Sequence, residues 1–112
     1  MPTADELYKE SEALKRAGNL EAAIVKLEEL QKLDDKHVLS HLALAVLYGK
    51  IGKHDLAVRH GERAVEIEPQ DTFNFTALSV TYQRAFEATQ DRIYIQKAED
   101  AKQRSAQMQW QR

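Results

Sequence analysis

The sequence predicts an all-α protein built from three tandem helix-turn-helix units, on three observations. Two prolines, Pro2 and Pro69, and four glycines are the only strong helix breakers in 112 residues. Nowhere do Val, Ile and Thr alternate with polar residues over the length of a strand. A shift of 34 residues superposes the chain on itself, laying Gly18 on Gly52, Ala23 on Ala57, Ile24 on Val58, Leu33 on Ile67 and Leu14 on Tyr48. A second shift of 34 carries Tyr48 to Tyr82, Leu44 to Leu78 and Ala64 to Ala98.

The units run over about residues 4–37, 38–71 and 72–105, with a tail at 106–112, all within one domain over 1–112. Unit one turns at Gly18. In unit two, Leu42, Leu44, Ala45, Tyr48 and Ile51 recur at helical spacing, Gly52-Lys53 interrupts them, and Leu56, Ala57, Ala64, Val65 and Ile67 resume the pattern as far as Pro69. Gly52 suits the left-handed position that ends a helix, and Pro69 stops the next one. Unit three has Phe86 and Asp91 where a turn glycine and a small alanine belong. Either the register is kept with a distorted turn, or about two helical turns are inserted around 86–95. Tyr94, Ala98, Ala101, Ser105 and Met108 form a stripe at helical spacing, which predicts a long last helix from about Asp91 to Met108. One hairpin buries too little apolar surface to offset its ordering entropy, so stacking of about three units is required. The polar run Gln96, Lys97, Glu99, Asp100, Lys102, Gln103 and Arg104 reads as a solvated cap on the last unit, with the stack expected to be complete there.

Composition narrows the function. The chain is 43% hydrophobic and 30% charged, a balance that folds rather than staying disordered. It has no cysteine, which removes disulfides, thiolate metal sites and thiol nucleophiles together. With 16 basic against 18 acidic residues the net charge is -2, giving no global attraction to nucleic acid or anionic lipid. Lys15, Arg16, Lys50, Lys53 and Arg84 form at most a short basic ridge, with aromatics at only 7%. No apolar run spans a bilayer, and the first fifteen residues are acidic and amphipathic, unlike a signal peptide, so a cytoplasmic location is expected.

Small residues at Ser11, Ala45 and Ser79 in the first helices and Ala23 and Ala57 in the second, turn glycines 18 and 52, Tyr48, Tyr82 and Pro69 together resemble the tetratricopeptide repeat (TPR) family across essentially the whole chain. The resemblance implies a right-handed α-α superhelix, or solenoid, whose first helices line a concave groove for protein partners. It places Asp5, Tyr8, Glu12, Lys15 and Arg16 of unit one on that wall. Units two and three add Leu39, Leu42, Val46, Gly49 and Lys50, then Phe73, Thr76, Val80, Gln83 and Arg84. The family's clamp for the C-terminal carboxylates of heat-shock chaperones is absent, since Tyr8, Glu12, Ala43, Phe73 and Ala77 stand at its positions. Gly61 stands where the family usually has an aromatic, and a bulky neighbour, Phe75 or Tyr82, is expected to fill the gap.

No glycine-rich phosphate loop, serine elbow or zinc-type spacing is present, and most carboxylates fall on solvated faces, so neither catalysis nor a cofactor is expected. His37 and His41 are four apart, the spacing of two metal ligands on one helical face, but no third ligand is evident and a packed histidine is the plainer reading. His54 is expected in the turn and His60 on the surface. Wet positions should be polar, so Leu39, Leu42, Val46, Phe73 and Val80 on the groove wall point to a protein or peptide partner with an apolar anchor. Tyr8, Thr76, Lys50 and Arg84 would add polar contacts. The alternatives are cover by the chain's own tail, or homo-oligomeric self-assembly through the groove or through Met108 and Trp110.

Overall fold

The structure is a computed structural model and describes residues 1–111. Six helices follow one another: α1 (Ala4–Arg16), α2 (Leu20–Leu33), α3 (Val38–Lys50), α4 (His54–Ile67), α5 (Thr72–Thr89) and α6 (Arg92–Trp110), with no strand among the described residues. They pair as α1/α2, α3/α4 and α5/α6, and each pair stacks on the next.

Side-chain caps fix where every helix but α4 starts. Thr3 and Glu6 form a reciprocal capping box at α1, each side chain accepting the other's backbone N–H at 3.2 Å. Asn19 caps α2, Asp71 caps α5 and Asp91 caps α6 through side-chain oxygens. The first two hairpin turns repeat almost bond for bond: the backbone N–H of Asn19 donates to the Leu14 carbonyl and that of Lys53 to the Tyr48 carbonyl, both at 2.9 Å. Gly18 and Gly52, at φ of 85° and 83°, hold the left-handed position that both turns require.

The third unit departs from the register by one turn of helix. Its left-handed residue is Gln90 (φ 61°), 38 positions after Gly52 where the repeat predicts 34. Accordingly α5 is 18 residues long, against 13 for α1 and α3. Gln90 carries a side chain in a conformation that favours glycine, and uses it: its amide Nε2–H donates to the carbonyls of Phe86 and Glu87 at the end of α5. Helix α6 is longer as well, 19 residues against 14 for α2 and α4, so each helix of the third hairpin exceeds its counterparts by about one turn. Helix α6 also outruns its expected end, so residues 106–110 are helical rather than a separate tail.

The interior is divided. Ala23, Ile24, Leu27, Leu44, Leu47, Tyr48 and Ala57 make one cluster, and Val58, Leu78, Tyr82, Ala85, Ala98 and Ala101 another. They meet at consecutive residues of α4, Ala57 and Val58. Gly61 lets α5 approach α4 closely: a β-carbon there would stand 3.0 Å from Leu78 Cδ1 and 3.8 Å from Thr81. The neighbours filling that gap are Leu78 and Thr81, not Phe75 or Tyr82, because α5 presents those two residues to α4 at this height.

A tyrosine-to-carboxylate bond ties each hairpin to the one before. Tyr48 Oη donates to Glu28 at 2.7 Å and Tyr82 Oη to Glu62 at 2.5 Å, both pairs 20 residues apart in sequence and 34 residues from one another. Burial first, and the carboxylate second, pushes the Tyr48 phenol up to about 12 and raises that of Tyr82 further.

Candidate functional site

Helices α3 and α5 lie side by side, and the space between them is a cavity of about 290 Å³. Leu42 and Val46 form the α3 wall, Phe73, Val80 and Arg84 the α5 wall, and Gly61 with Leu78 and Thr81 part of the floor. Thr76 also faces it. Three apolar side chains stay strongly exposed: Phe73 (64%), Val80 (41%) and Val46 (36%). Ala45 and Ala77 complete the lining with small side chains that leave the volume open.

Other wall residues expected from the sequence lie outside this cavity. Leu39 is exposed at the start of α3. Tyr8 is half-buried, packs against the first core cluster and sets its ring 5.7 Å from that of His37, and burial together with Glu12 raises its phenol above the usual value. Lys50 is exposed at the end of α3. Thr76, by contrast, is within the cavity lining, and its Oγ1 is engaged by the Thr72 carbonyl and by the Ser105 hydroxyl at 2.8 Å, which joins α5 to α6. Position counting from the repeat assigns a helical face but not the distance between neighbouring helices, so the floor residues Gly61, Leu78 and Thr81 escaped it.

The last turns of α1 and α3 carry Lys15, Arg16 and Lys50, while Arg84 stands on α5 more than a turn before its end at Thr89. These cations make no ion pair within the described residues; the four pairs present involve Lys26, Arg63 and Lys97 instead. Cations in a last turn favour the helix dipoles whatever else they do.

Among the described residues, the end of the chain does not fill the groove. Trp110 is in the last turn of α6 and 90% exposed, whereas Met108 is buried on the inward face of the same helix. Met108 is therefore not available as a self-association contact, because the helical stripe that begins at Tyr94 continues through it into the interior.

The histidines are arranged differently from expectation. His37 is not on a helical face with His41: it is the N-cap of α3, in an extended conformation, and its Nδ1 accepts the backbone N–H of Ser40 at 3.1 Å. His41 is buried and His60 is partly buried rather than on the surface, with their Nδ1 atoms 3.0 Å apart and the His60 ring stacked on Tyr48 at 5.6 Å. His54 is the first residue of α4. Among the described residues no three His, Cys, Asp or Glu converge on a metal-sized space, and no helix is long and apolar enough to cross a membrane.

No protein-family model matches the chain, and no curated protein matches it in sequence. Solved structures do match in shape. YrrB, described as a TPR protein with an unusual peptide-binding site, superposes with a TM-score of 0.79 at 17% identity over 97% of this chain and 53% of its own. The second TPR domain of Spaghetti (RPAP3), solved bound to the HSP90 peptide SRMEEVD, gives 0.77 at 15% identity over 95% and 92%. MamA gives 0.71 at 21% identity over 94% and 61%. The chain thus spans about half the length of YrrB and most of the RPAP3 domain. At these identities the likeness shows the fold: the chain has the TPR-type architecture of stacked helical hairpins.

Proposed function

We propose that this chain is a non-catalytic interaction module that holds a peptide segment in the groove between α3 and α5. The observation that carries this reading is the exposed apolar wall of Val46, Phe73 and Val80 around an open cavity. Contiguous apolar surface of this kind is costly in water and is found where partners bind. Two similar folds are described as binding peptides, which supports the class of ligand and not its identity. The chaperone peptide carried by the RPAP3 domain is a poor candidate here, because Tyr8, Ala43, Phe73 and Ala77 do not supply a carboxylate clamp.

The chemistry favours one kind of ligand, an apolar anchor with an acidic group beside it. The anchor would seat against Leu42, Val46, Phe73 and Val80, with Leu39 extending the apolar strip. The acid would face Arg84 and Lys50, with Tyr8 and Thr76 contributing at the margins. A panel of labelled peptides pairing one Leu, Phe or Trp with one to three acidic residues tests this by fluorescence anisotropy. Leu42→Glu with Val46→Glu should weaken binding at least about tenfold, the loss expected when a small apolar anchor is desolvated against charge. Helicity at 222 nm should be unchanged. Equal binding by the double variant refutes the groove.

A second reading rests on Trp110, whose nearly full exposure at the end of α6 is unusual for the largest apolar side chain. In that reading the chain self-assembles through the ring. Sedimentation velocity over a concentration series decides it, and a strict monomer at high concentration removes it.

A further inference from the structure

His41, on α3, is buried and has a defined bonding partner on α2, on α4 and in the link between α2 and α3. Its Nε2 is 2.8 Å from the carbonyl oxygen of Asp35, in the link between α2 and α3. A carbonyl only accepts, so Nε2 carries a proton and donates it. In neutral His41 the other nitrogen, Nδ1, is then an acceptor. It lies 3.0 Å from the Gln31 amide nitrogen on α2 and 3.0 Å from His60 Nδ1 on α4. His60 Nδ1–H is therefore the donor across the pair.

We propose that the His41–His60 pair is an acid-operated latch at the junction of the first two hairpins, tying α2, α3 and α4 together when neutral and releasing them when both rings are protonated. One added proton is tolerated: His41 then donates from Nδ1, His60 accepts after shifting its own hydrogen to Nε2, and the Gln31 amide turns so that its N–H no longer faces Nδ1. A second proton puts an N–H on both facing nitrogens at 3.0 Å, between two positive rings, and the contact must open. The surroundings add to this. Arg63 and Arg59 on α4 and His37 at the start of α3 act against a further positive charge, while Asp35 and Glu28 from the α2 side partly offset them. Burial first, and the neighbouring ring second, lowers His60 to about 4, and burial lowers His41 as well.

Packing alone does not demand histidine here. Thirty-four residues later the same positions are Phe75 and Tyr94, and the Tyr82–Tyr94 ring pair at 6.4 Å repeats the Tyr48–His60 stack. The third hairpin thus keeps a ring from its second helix on the repeat tyrosine without groups that titrate in mild acid, while Phe75 lies against Arg104 of α6. Because both histidines are depressed in the folded chain, the stability they leave intact above pH 6.5 is lost as the pH falls toward about 4. Release would also move α1 and α2 relative to α3, which carries Leu42 and Val46.

The test is urea unfolding of the full chain from pH 7.5 to 4.5, wild type against the double variant His41→Phe with His60→Tyr. The unfolding constant of the wild type should rise about tenfold or more beyond that of the variant over this range. Parallel curves overturn the proposal. Two measurements on the wild type alone stand whether or not the variant folds. Imidazole nitrogen spectra should show both rings titrating below the histidines of the urea-unfolded chain, and either one titrating at or above them overturns it. Amide exchange at pH 5, corrected for intrinsic rate, should show protection lost in α2 and α3 before α5 and α6, and uniform loss overturns the placement of the latch.

Discussion

Removing a single hydroxyl tests whether the tyrosine-to-carboxylate bonds hold the hairpins together. Tyr48→Phe and Tyr82→Phe keep the rings, which are both 6% exposed, and delete only the donors to Glu28 and Glu62. A hydrogen bond to a charged partner contributes about 1.5–3 kcal/mol. Glu28 is exposed, so water replaces the lost donor, and Tyr48→Phe should cost about 1 kcal/mol, below that range. Glu62 is half-buried and keeps only Lys97, at 3.8 Å, so Tyr82→Phe should cost about 2 kcal/mol. Urea unfolding at pH 7, followed by circular dichroism at 222 nm, measures both. A second signature separates a lost bond from a disturbed core. The folded phenols titrate above the ordinary value of 10, so between pH 10 and 12 the unfolded chain releases protons that the folded one keeps. Wild-type stability therefore falls as pH rises from 9 to 11, by about 1 kcal/mol for Tyr48 alone at pH 11. The double Phe variant should lose most of this alkaline slope, keeping the part due to Tyr8, whose phenol is also raised. Equal stability at pH 7 together with an unchanged slope would refute the account of these bonds.

The remaining predictions concern backbone and packing. Gly52→Ala should cost about 1–2 kcal/mol, because φ is 83° and nothing lies within 4 Å of the new carbon, so the loss is backbone strain alone; thermal unfolding reads it. Gly61→Leu should cost about 1–3 kcal/mol by forcing α4 from Leu78, and a neutral result would mean that α5 shifts freely. Arg84→Glu should weaken any acidic groove ligand and reduce the salt dependence of its binding, while leaving an uncharged apolar peptide unaffected.

The helices were legible where the sequence states a physical requirement directly. Gly18 and Gly52 mark left-handed turns because few other residues accept that backbone, and the stripe from Tyr94 to Met108 lies on the inward side of α6 as its spacing indicates. The inserted turn was visible only as a disturbance. Gln90 closes α5 with side-chain hydrogen bonds that no periodicity reveals. His37 and His41 illustrate a limit of spacing arguments: four residues place two rings on one face only if both are inside the helix, and His37 is its cap. The burial of His60 is not legible in its local sequence because its partners, Tyr48 and His41, lie 12 and 19 residues away and meet it only after α3 folds onto α4. A signal for the tyrosine bonds was nevertheless present, since both Glu28 with Tyr48 and Glu62 with Tyr82 recur at the repeat length. Within the candidate groove, Leu42, Val46, Phe73, Thr76, Val80 and Arg84 share one cavity because α3 and α5 are neighbours, while Tyr8 belongs to α1 and packs elsewhere.

Because Ala57 and Val58 belong to different interior clusters, α4 serves as the main beam shared by two blocks that otherwise touch only where α3 meets α5. Tension applied between the chain's ends need not break both at once. The leading block can peel away while the trailing one stays folded on α4, so mechanical failure would come in two stages, with a partly unravelled species between them.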